Sequence, residues 1–244
     1  VMEAGASIDA SATDNGDGGK VVLWSDIHNA QSQTRVHGSI TAEAGPQGGK
    51  GGQIETSGHY LNVDNIAVST KSDMGKSGEW LLDPYDITIS TTTAGTAFVD
   101  GAGDDSYTAA ATSTILASAL NTALGNGNVT LSTGASGSAG AGAGNITLSS
   151  NLSWSTNKVL TLNAAGGLIG ASTTGIAMTG GGGLVVNQAG TSTYAGIISG
   201  NGSVTKQGTG TLTLSGVNTY DGGTTVQNGV LRAGVSYSPG LPSP

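Results

Sequence analysis

ASIDASATDNGDGGKVVLWS, at 6–25, and GSITAEAGPQGGKGGQIETS, at 38–57, are two copies of one design. They align from end to end without a gap, at an offset of 32. Ser7/Ser39, Ile8/Ile40, Ala10/Ala42, Ala12/Ala44, Gly16/Gly48, Gly19/Gly51 and Ser25/Ser57 are identical. In each copy Ile and Ala alternate with polar residues, a glycine-rich turn follows, and a second short run begins. A period of two marks a strand with one buried and one wet face. Each copy therefore reads as strand, turn, strand.

The device recurs down the chain. Ile87 and Ile89, Val129 and Leu131, Ile146 and Leu148, Leu160 and Leu162, and Leu212 and Leu214 all flank a polar residue. Strands this short cannot stand alone and must stack on neighbours. The expected fold is all-β, a right-handed parallel β-helix (solenoid). Roughly 20 residues per rung predict about a dozen rungs and, at ~4.8 Å each, a rod of roughly 60 Å. A β-sandwich is the rival, since Asn-Gly, a hairpin signal, stands at 15–16, 126–127, 201–202 and 228–229.

One stretch departs from the strand period. In TSTILASALNTAL, 112–124, the apolar residues Ile115, Leu116, Ala119, Leu120, Ala123 and Leu124 follow helical spacing. One short amphipathic helix over 112–124 is expected on the side of the rod, with Thr112 or Ser113 capping its start and Gly125 in a left-handed ending position. GASGSAGAGAG, 134–144, reads as a low-complexity loop. The expected organisation is one continuous β-helix over 1–235. It divides into rungs at 1–90, a loop and helix insertion at 91–127, further rungs at 128–199, a distinct repeat at 200–234, and an extended tail at 236–244.

Composition limits what such a body can do. Glycine supplies 43 of 244 residues and aromatics only 4%, so small aliphatic side chains must fill a narrow core. Charged residues are 10%, with 16 Asp and Glu against 8 Lys and Arg. An acidic chain without a basic stripe is not built to neutralise phosphates, which argues against nucleic acid and against anionic lipid. There is no cysteine; a stack of repeats does not need disulfides, and a chain exported unfolded is better without them. The opening VMEAGASIDA has neither the basic start nor the apolar stretch of a signal peptide, and is expected to enter the repeat in mid-pattern.

Three motifs together resemble the filamentous-haemagglutinin-like adhesins of two-partner secretion in Gram-negative bacteria. They are GGKVVLWSD at 18–26 with GSITAEAGPQGGKGGQIETSG at 38–58, GEWLLDPYDITIS at 78–90, and GNGNVTLSTGASGSAGAGAGNITLSSNLSW at 125–154. The tail GNGSVTKQGTGTLTLSGVNTYDGGTTVQNGVLRAG, 200–234, is similar to the β-strand repeat of autotransporter passengers. The resemblance implies a parallel β-helix at the extracellular cell surface, exported by a partner transporter in the outer membrane. It places the secretion domain that such transporters recognise upstream of residue 1.

Each candidate for chemistry has an ordinary structural reading. Asp14-Asn15-Gly16-Asp17-Gly18-Gly19 has oxygen ligands at alternating positions, as a calcium loop does. It lacks the later Glu, and its repeat mate Pro46-Gln47-Gly48-Gly49-Lys50-Gly51 has no carboxylate, so a turn is expected. Asp100, Asp104 and Asp105 are read as a solvated loop. Gly75-Lys76-Ser77 falls short of a phosphate loop because Thr70 stands where glycine is required. His28, His37 and His59 have no ligand spacing. Asp83 and Asp86, flanking Pro84 and Tyr85, are the one candidate pair for glycosidic chemistry, and a turn explains them.

Trp24, Trp80 and Trp154 could stack on sugars but each lies in a strand, so burial is expected. Rows such as Thr211 and Thr213 are too irregular in sequence for an ice-binding array. Asn128, Asn145, Asn151 and Asn201 open Asn-x-Ser/Thr sequons, at places where a turn residue before a strand is expected anyway. No catalytic, cofactor-binding or metal residue is assigned, and no cofactor. The expected function is non-enzymatic: a rigid stalk or adhesive contact surface, meeting a glycan or protein on another cell. The alternative is a filament subunit stacked head to tail on copies of itself.

Overall fold

A computed structural model describes residues 1–29, 31–93, 112–134 and 143–234. The described chain is mostly strand, and every pairing between its named strands is parallel. The longest sheet has eight strands, stacked in sequence order: Lys20–Trp24, Gln53–Ser57, Glu79–Asp83, Asn128–Ser132, Val159–Ala164, Gly183–Gln188, Ser203–Gln207 and Thr224–Val226. A second stack opens with the pair Gln33–Arg35 and Tyr60–Asn62 and continues as a seven-stranded sheet ending at Val230–Ala233. The third holds Ser7–Asp9, Gly38–Thr41 and Ile66–Ser69 in one sheet, and four strands from Leu152–Trp154 to Thr219–Tyr220 in another. Parallel partners need a crossover, and here the crossovers run through the other two stacks, except between Ile87–Ser90 and Ser113–Leu116, which follow one another in the same stack. The arrangement is consistent with a solenoid, and the antiparallel hairpins of the sandwich alternative do not occur among the named strands.

Among the described residues the rungs are longer and fewer than expected. Lys20 lies on Gln53, Gln53 on Glu79 and Glu79 on Asn128, so no two of the early steps are alike and the third is the longest. Val129 on Leu160 and Val159 on Gly183 follow at shorter steps. Only with Gly183 on Ser203 and Val204 on Thr224 do two successive steps become equal and reach the expected length. Eight strands at ~4.8 Å span about 34 Å, not the dozen rungs and roughly 60 Å inferred from a uniform period.

The two quoted copies also slip. Ile8 sits on Ile40, as the alignment requires, but Val21 sits on Ile54 where the alignment would place Gln53. The second turn holds one extra residue, so Gly52, not Gly51, stacks on Gly19, and Trp24, not Ser25, faces Ser57.

The helix spans Ala117–Asn126, not 112–124. Ser113–Leu116 is instead a strand paired with Ile87–Ser90, with Ser113 and Ile115 turned inward. Neither Thr112 nor Ser113 caps the helix: Leu116 stands at the cap without a side-chain bond, and Ser113 Oγ accepts the Leu61 N–H at 2.9 Å. The helix runs through Gly125, and Gly127 beyond it is extended rather than left-handed. Ala117, Leu120, Ala123 and Leu124 are buried. The helix packs between Ile66–Ser69 and Leu152–Trp154, filling a strand's place in the third stack. Asn121 Oδ1 accepts the Ser153 N–H at 3.0 Å, and the Leu124 carbonyl accepts Thr156 Oγ1 at 2.5 Å.

Alternation in the long sheet makes columns. Val21, Ile54, Trp80, Val129, Leu160, Leu184 and Val204 lie one upon the next, all buried, in one continuous apolar cluster. Each such side chain contributes about 1.5–3 kcal/mol by leaving water. At the corner entering this sheet glycine is stacked on glycine, and a Cβ on Gly52 would lie 2.0 Å from the Gly19 carbonyl oxygen. A Cβ on Gly78 would lie 1.9 Å from that of Gly52. Backbone passes so close to backbone there that no side chain fits, which accounts for part of the glycine content.

The Asp100, Asp104 and Asp105 loop, most of 134–144 and the tail 236–244 lie outside the described residues.

Candidate functional site

The titratable side chains singled out in the sequence are spread along the stacks, most of them committed to holding rungs together. Asp14 accepts Gln47 Nε2 at 2.6 Å, and Asp17 accepts the Lys50 N–H at 2.7 Å. The candidate cation loop thus clamps one turn onto the next. Asp9 does the same, accepting Thr41 Oγ1 at 2.8 Å and the Ser11 N–H at 2.9 Å. Hydrogen bonds from Ser11 and Thr41 hold its carboxyl below the usual range. Among the described residues no three His, Cys, Asp or Glu side chains are grouped as a metal site.

The histidines are apart. His37 Nδ1 meets the Asp64 carbonyl at 2.7 Å and His59 Nδ1 the Ile27 carbonyl at 2.8 Å, while His28 is exposed. His59 is buried, and its ring stacks on Tyr85 at 5.2 Å between centroids. Ser72, not Lys76, organises the Gly75-Lys76-Ser77 turn: its Oγ accepts the Gly75 N–H at 2.8 Å and donates to the Gly49 carbonyl at 2.7 Å.

Asp83 and Asp86 do different work. Asp86 is buried and accepts the Asn145 N–H at 2.7 Å, tying the next rung's corner. Burial raises its pKa, and hydrogen bonds from the Asn145, Gly144 and Ala143 backbone oppose the rise. Asp83 ends the Glu79–Asp83 strand on the outward side, in register with Ser57. Burial raises its pKa first and the Glu55 carboxylate raises it further. The carboxylate neighbour of Asp83 is therefore Glu55, two positions along the adjacent strand. The sequence hid it, because only the pairing of Gln53–Ser57 with Glu79–Asp83, a whole rung apart, joins the two.

The tryptophans divide. Trp80 and Trp154 are 1% and 4% exposed, as expected, with Nε1 bonded to Thr56 Oγ1 at 3.1 Å and to the Lys158 carbonyl at 3.0 Å. Trp24 is 64% exposed and does not join the core. In the Lys20–Trp24 strand both sides carry apolar residues, and pairing with Gln53–Ser57 turns Val21 inward and Trp24 out.

Threonines are more regular in space than in sequence. Thr114, Thr88 and Thr147 share one register position of the second stack, Ile169 follows, and Thr193 and Thr213 resume. Ile169 breaks the column, so the array is not continuous. Three sequon asparagines clamp neighbouring rungs: Asn128, Asn145 and Asn201 accept the backbone N–H of Val159, Gly167 and Gly181 at 3.0, 2.9 and 2.7 Å. Asn151 is exposed.

Lys206 carries no motif that would single it out in the sequence. It occupies an inward position between Val186 and Val226 at 0% exposure, and its Nζ donates to the carbonyls of Gln207 and, at 3.0 Å, Gly208. Burial lowers its pKa.

Residues 204–233 match the family described as Passenger-associated-transport-repeat, a repeat of the secreted passenger domains of Gram-negative bacteria. The match runs through all three stacks, from within Ser203–Gln207 of the long sheet to Val230–Ala233 of the second stack. It supports the autotransporter-type repeat at 200–234 and is consistent with a place outside the cell or on its surface. No curated protein matches the chain.

Proposed function

We propose that this chain is a segment of a secreted exoprotein of the filamentous-haemagglutinin-like, two-partner-secretion type, acting as a rigid stalk or contact surface in adhesion. The observation that carries the reading is the transport repeat at 204–233, set in a stack of parallel rungs that continues upstream of it. In this reading the three stacks close into a right-handed parallel β-helix. Apart from Ser113–Leu116, which returns to the stack that Ile87–Ser90 has just left, the chain visits them in one cyclic order, and parallel crossovers are right-handed in nearly all cases.

The chain is not an enzyme in this proposal, and needs no cofactor. Backbone ladders, apolar columns and glycine corners give it stiffness without disulfides, and a transporter in the outer membrane is its partner during export. Its partner afterwards is a glycan or protein on another cell; the acidic surface, with a net charge of −8, argues against nucleic acid.

End-to-end stacking is the second reading. Among the described residues Thr224–Val226 is the last strand of the long sheet and is exposed throughout, and in this reading a second copy pairs with it. Beads coated with the purified protein, flowed over immobilised glycans and matrix proteins, test the first reading: saturable retention is expected, and rods that bind none of these surfaces would leave only the stalk. Negative-stain images over a concentration range test the second, which requires fibres much longer than one copy.

A further inference from the structure

We propose that the peptide bond between Asp83 and Pro84 is a self-cleavage site, at which the Asp83 side chain cuts the chain on its own C-terminal side. The inference goes beyond the contact-surface reading and does not depend on it.

The chain has one Asp-Pro bond. An aspartyl carboxyl reaches the backbone carbonyl of its own residue by closing a five-membered ring, and a proline nitrogen leaves as a secondary amine. The fold acts on both sides of this bond. The Asp83 carbonyl accepts the Gly58 N–H at 3.2 Å, so a donor already points at the oxygen where charge gathers on attack. Just beyond, the Pro84 carbonyl accepts the Gly134 N–H at 3.3 Å and the Tyr85 N–H donates to the His59 carbonyl at 3.4 Å. Pro84 is buried and Asp83 half-buried.

The surroundings of the Asp83 carboxyl favour its neutral form. Burial does so first and the Glu55 carboxylate next, while a hydrogen bond from Ser132 and the charge of His28 oppose them. Glu55 Oε1 is itself held by Ser57 Oγ at 3.0 Å. On the other flank the strand Asn128–Ser132 carries no charge.

A neutral carboxyl serves both halves of the step. Its oxygen bonds to the backbone carbonyl carbon of Asp83, its proton passes to the Pro84 nitrogen, and the bond between that carbon and that nitrogen breaks. The products are a cyclic anhydride on Asp83 and a free proline amine. Water reaches the half-exposed Asp83 and opens the anhydride, leaving that residue with two carboxyl groups. Glu79–Asp83 stays paired with Gln53–Ser57 and Asn128–Ser132, so the nicked rod remains assembled until its rungs are opened.

The experiment holds the purified protein, with protease inhibitors, between about pH 4 and about pH 8 and reads its products by mass spectrometry. Fragments ending at Asp83 and beginning at Pro84 are expected, forming faster as pH falls and the neutral carboxyl accumulates. Protein unfolded in urea, where burial and Glu55 no longer act, should cleave several-fold more slowly at the same weakly acidic pH. Glu55→Gln removes the like charge and should move the whole rate profile toward lower pH. Asp83→Asn and Pro84→Ala should stay intact. Hydroxylamine present during the reaction should mark the side-chain carboxyl of Asp83 as well as its new backbone carboxyl, because both carbonyls of the anhydride are open to attack; a contaminating protease marks the backbone alone.

A chain that stays whole at every pH, or fragments that form as fast in urea as in the folded protein, overturns the site. Cleavage that persists in Asp83→Asn does the same, and so does a hydroxylamine mark confined to the backbone. An unmoved rate profile in Glu55→Gln would overturn the part given to that residue.

Discussion

The rungs before the helix and those after it solve the same stacking problem with different materials. The early rungs are long and uneven, with Lys20 on Gln53, Gln53 on Glu79 and Glu79 on Asn128. Their corners are held by side chains: Asp9 to Thr41, Asp14 to Gln47, Asp17 to Lys50, and Ser69 to Glu43. The late rungs, Gly183 on Ser203 and Val204 on Thr224, are short and equal, and rely on backbone ladders, apolar columns, glycine and uncharged amide clamps such as Asn201 to Gly181 and Asn218 to Ile198. Twelve of the 16 acidic residues and five of the eight basic ones lie in residues 1–90, but only Asp221, Lys158, Lys206 and Arg232 carry charge after residue 127. A long corner has backbone that no ladder satisfies, and polar side chains must serve it. A short rung leaves little such backbone, and its sequence becomes regular enough to match a transport repeat.

The sharpest break in this comparison comes from the glycine corners. Gly52→Ala places a methyl against the Gly19 carbonyl and is expected to cost about 4 kcal/mol or more, read from urea unfolding. Gly125→Ala is its control: nothing lies within 4 Å of a Cβ there, and the helix should gain about 0.5–1 kcal/mol. A Gly52→Ala protein as stable as the wild type would show that the corner can open.

Next in size is the inner column shared by both halves, in which Thr56 and Leu162 occupy equivalent positions. Leu162→Ala should cost about 2–5 kcal/mol, as a buried leucine does. Thr56→Ala leaves the Trp80 indole N–H without its acceptor and should cost about 1–3 kcal/mol. Equal costs would mean that side-chain hydrogen bonds hold the early rungs no less firmly than apolar contact holds the late ones.

The third test uses pH. Burial lowers the Lys206 pKa, so its charge is a burden on the fold below the folded pKa, relieved as pH rises toward the unfolded value of 10.5. Lys206→Met cannot titrate. The melting temperature of the wild type should therefore rise relative to Lys206→Met between pH 7 and about 10; parallel curves would deny Lys206 any titration in that range. The smallest effect is ionic. Raising NaCl from about 0.1 to about 1 M should stabilise the early, acidic rungs by a few tenths of a kcal/mol, and hydrogen exchange in 1–90 should slow more than in 143–234.

Much of the architecture was legible because it depends on a period of two. Ile8 over Ile40, and the alternation at Val129, Leu160 and Leu212, needed no coordinates to predict strands that stack. The count and register were harder. A glycine-rich turn absorbs an extra residue without changing its look, so the slip from Gly51 to Gly52 left no mark in the alignment. Ser-Thr-Ile-Leu runs into Ala-Ser-Ala-Leu with apolar residues that suit either period, and only pairing with Ile87–Ser90 reveals the first four as strand.

The outward turn of Trp24 was hidden for a similar reason. Val21 with Leu23 and Val22 with Trp24 are both apolar pairs, and a strand apolar on both sides does not announce its phase. Its neighbour settles the question, since Glu55 must face out and Val22 lies upon it. Glu55, the carboxylate beside Asp83, was unreadable because it meets its surroundings only through long-range pairing.

Between Ser90 and Ser113 the chain leaves one strand and returns on the strand beside it. Glu79–Asp83 meanwhile lies directly on Asn128–Ser132, so the long sheet carries no trace of the departure. Chain length at this corner is thereby uncoupled from the register of the long sheet: the keel keeps its line whatever is spliced in beside it.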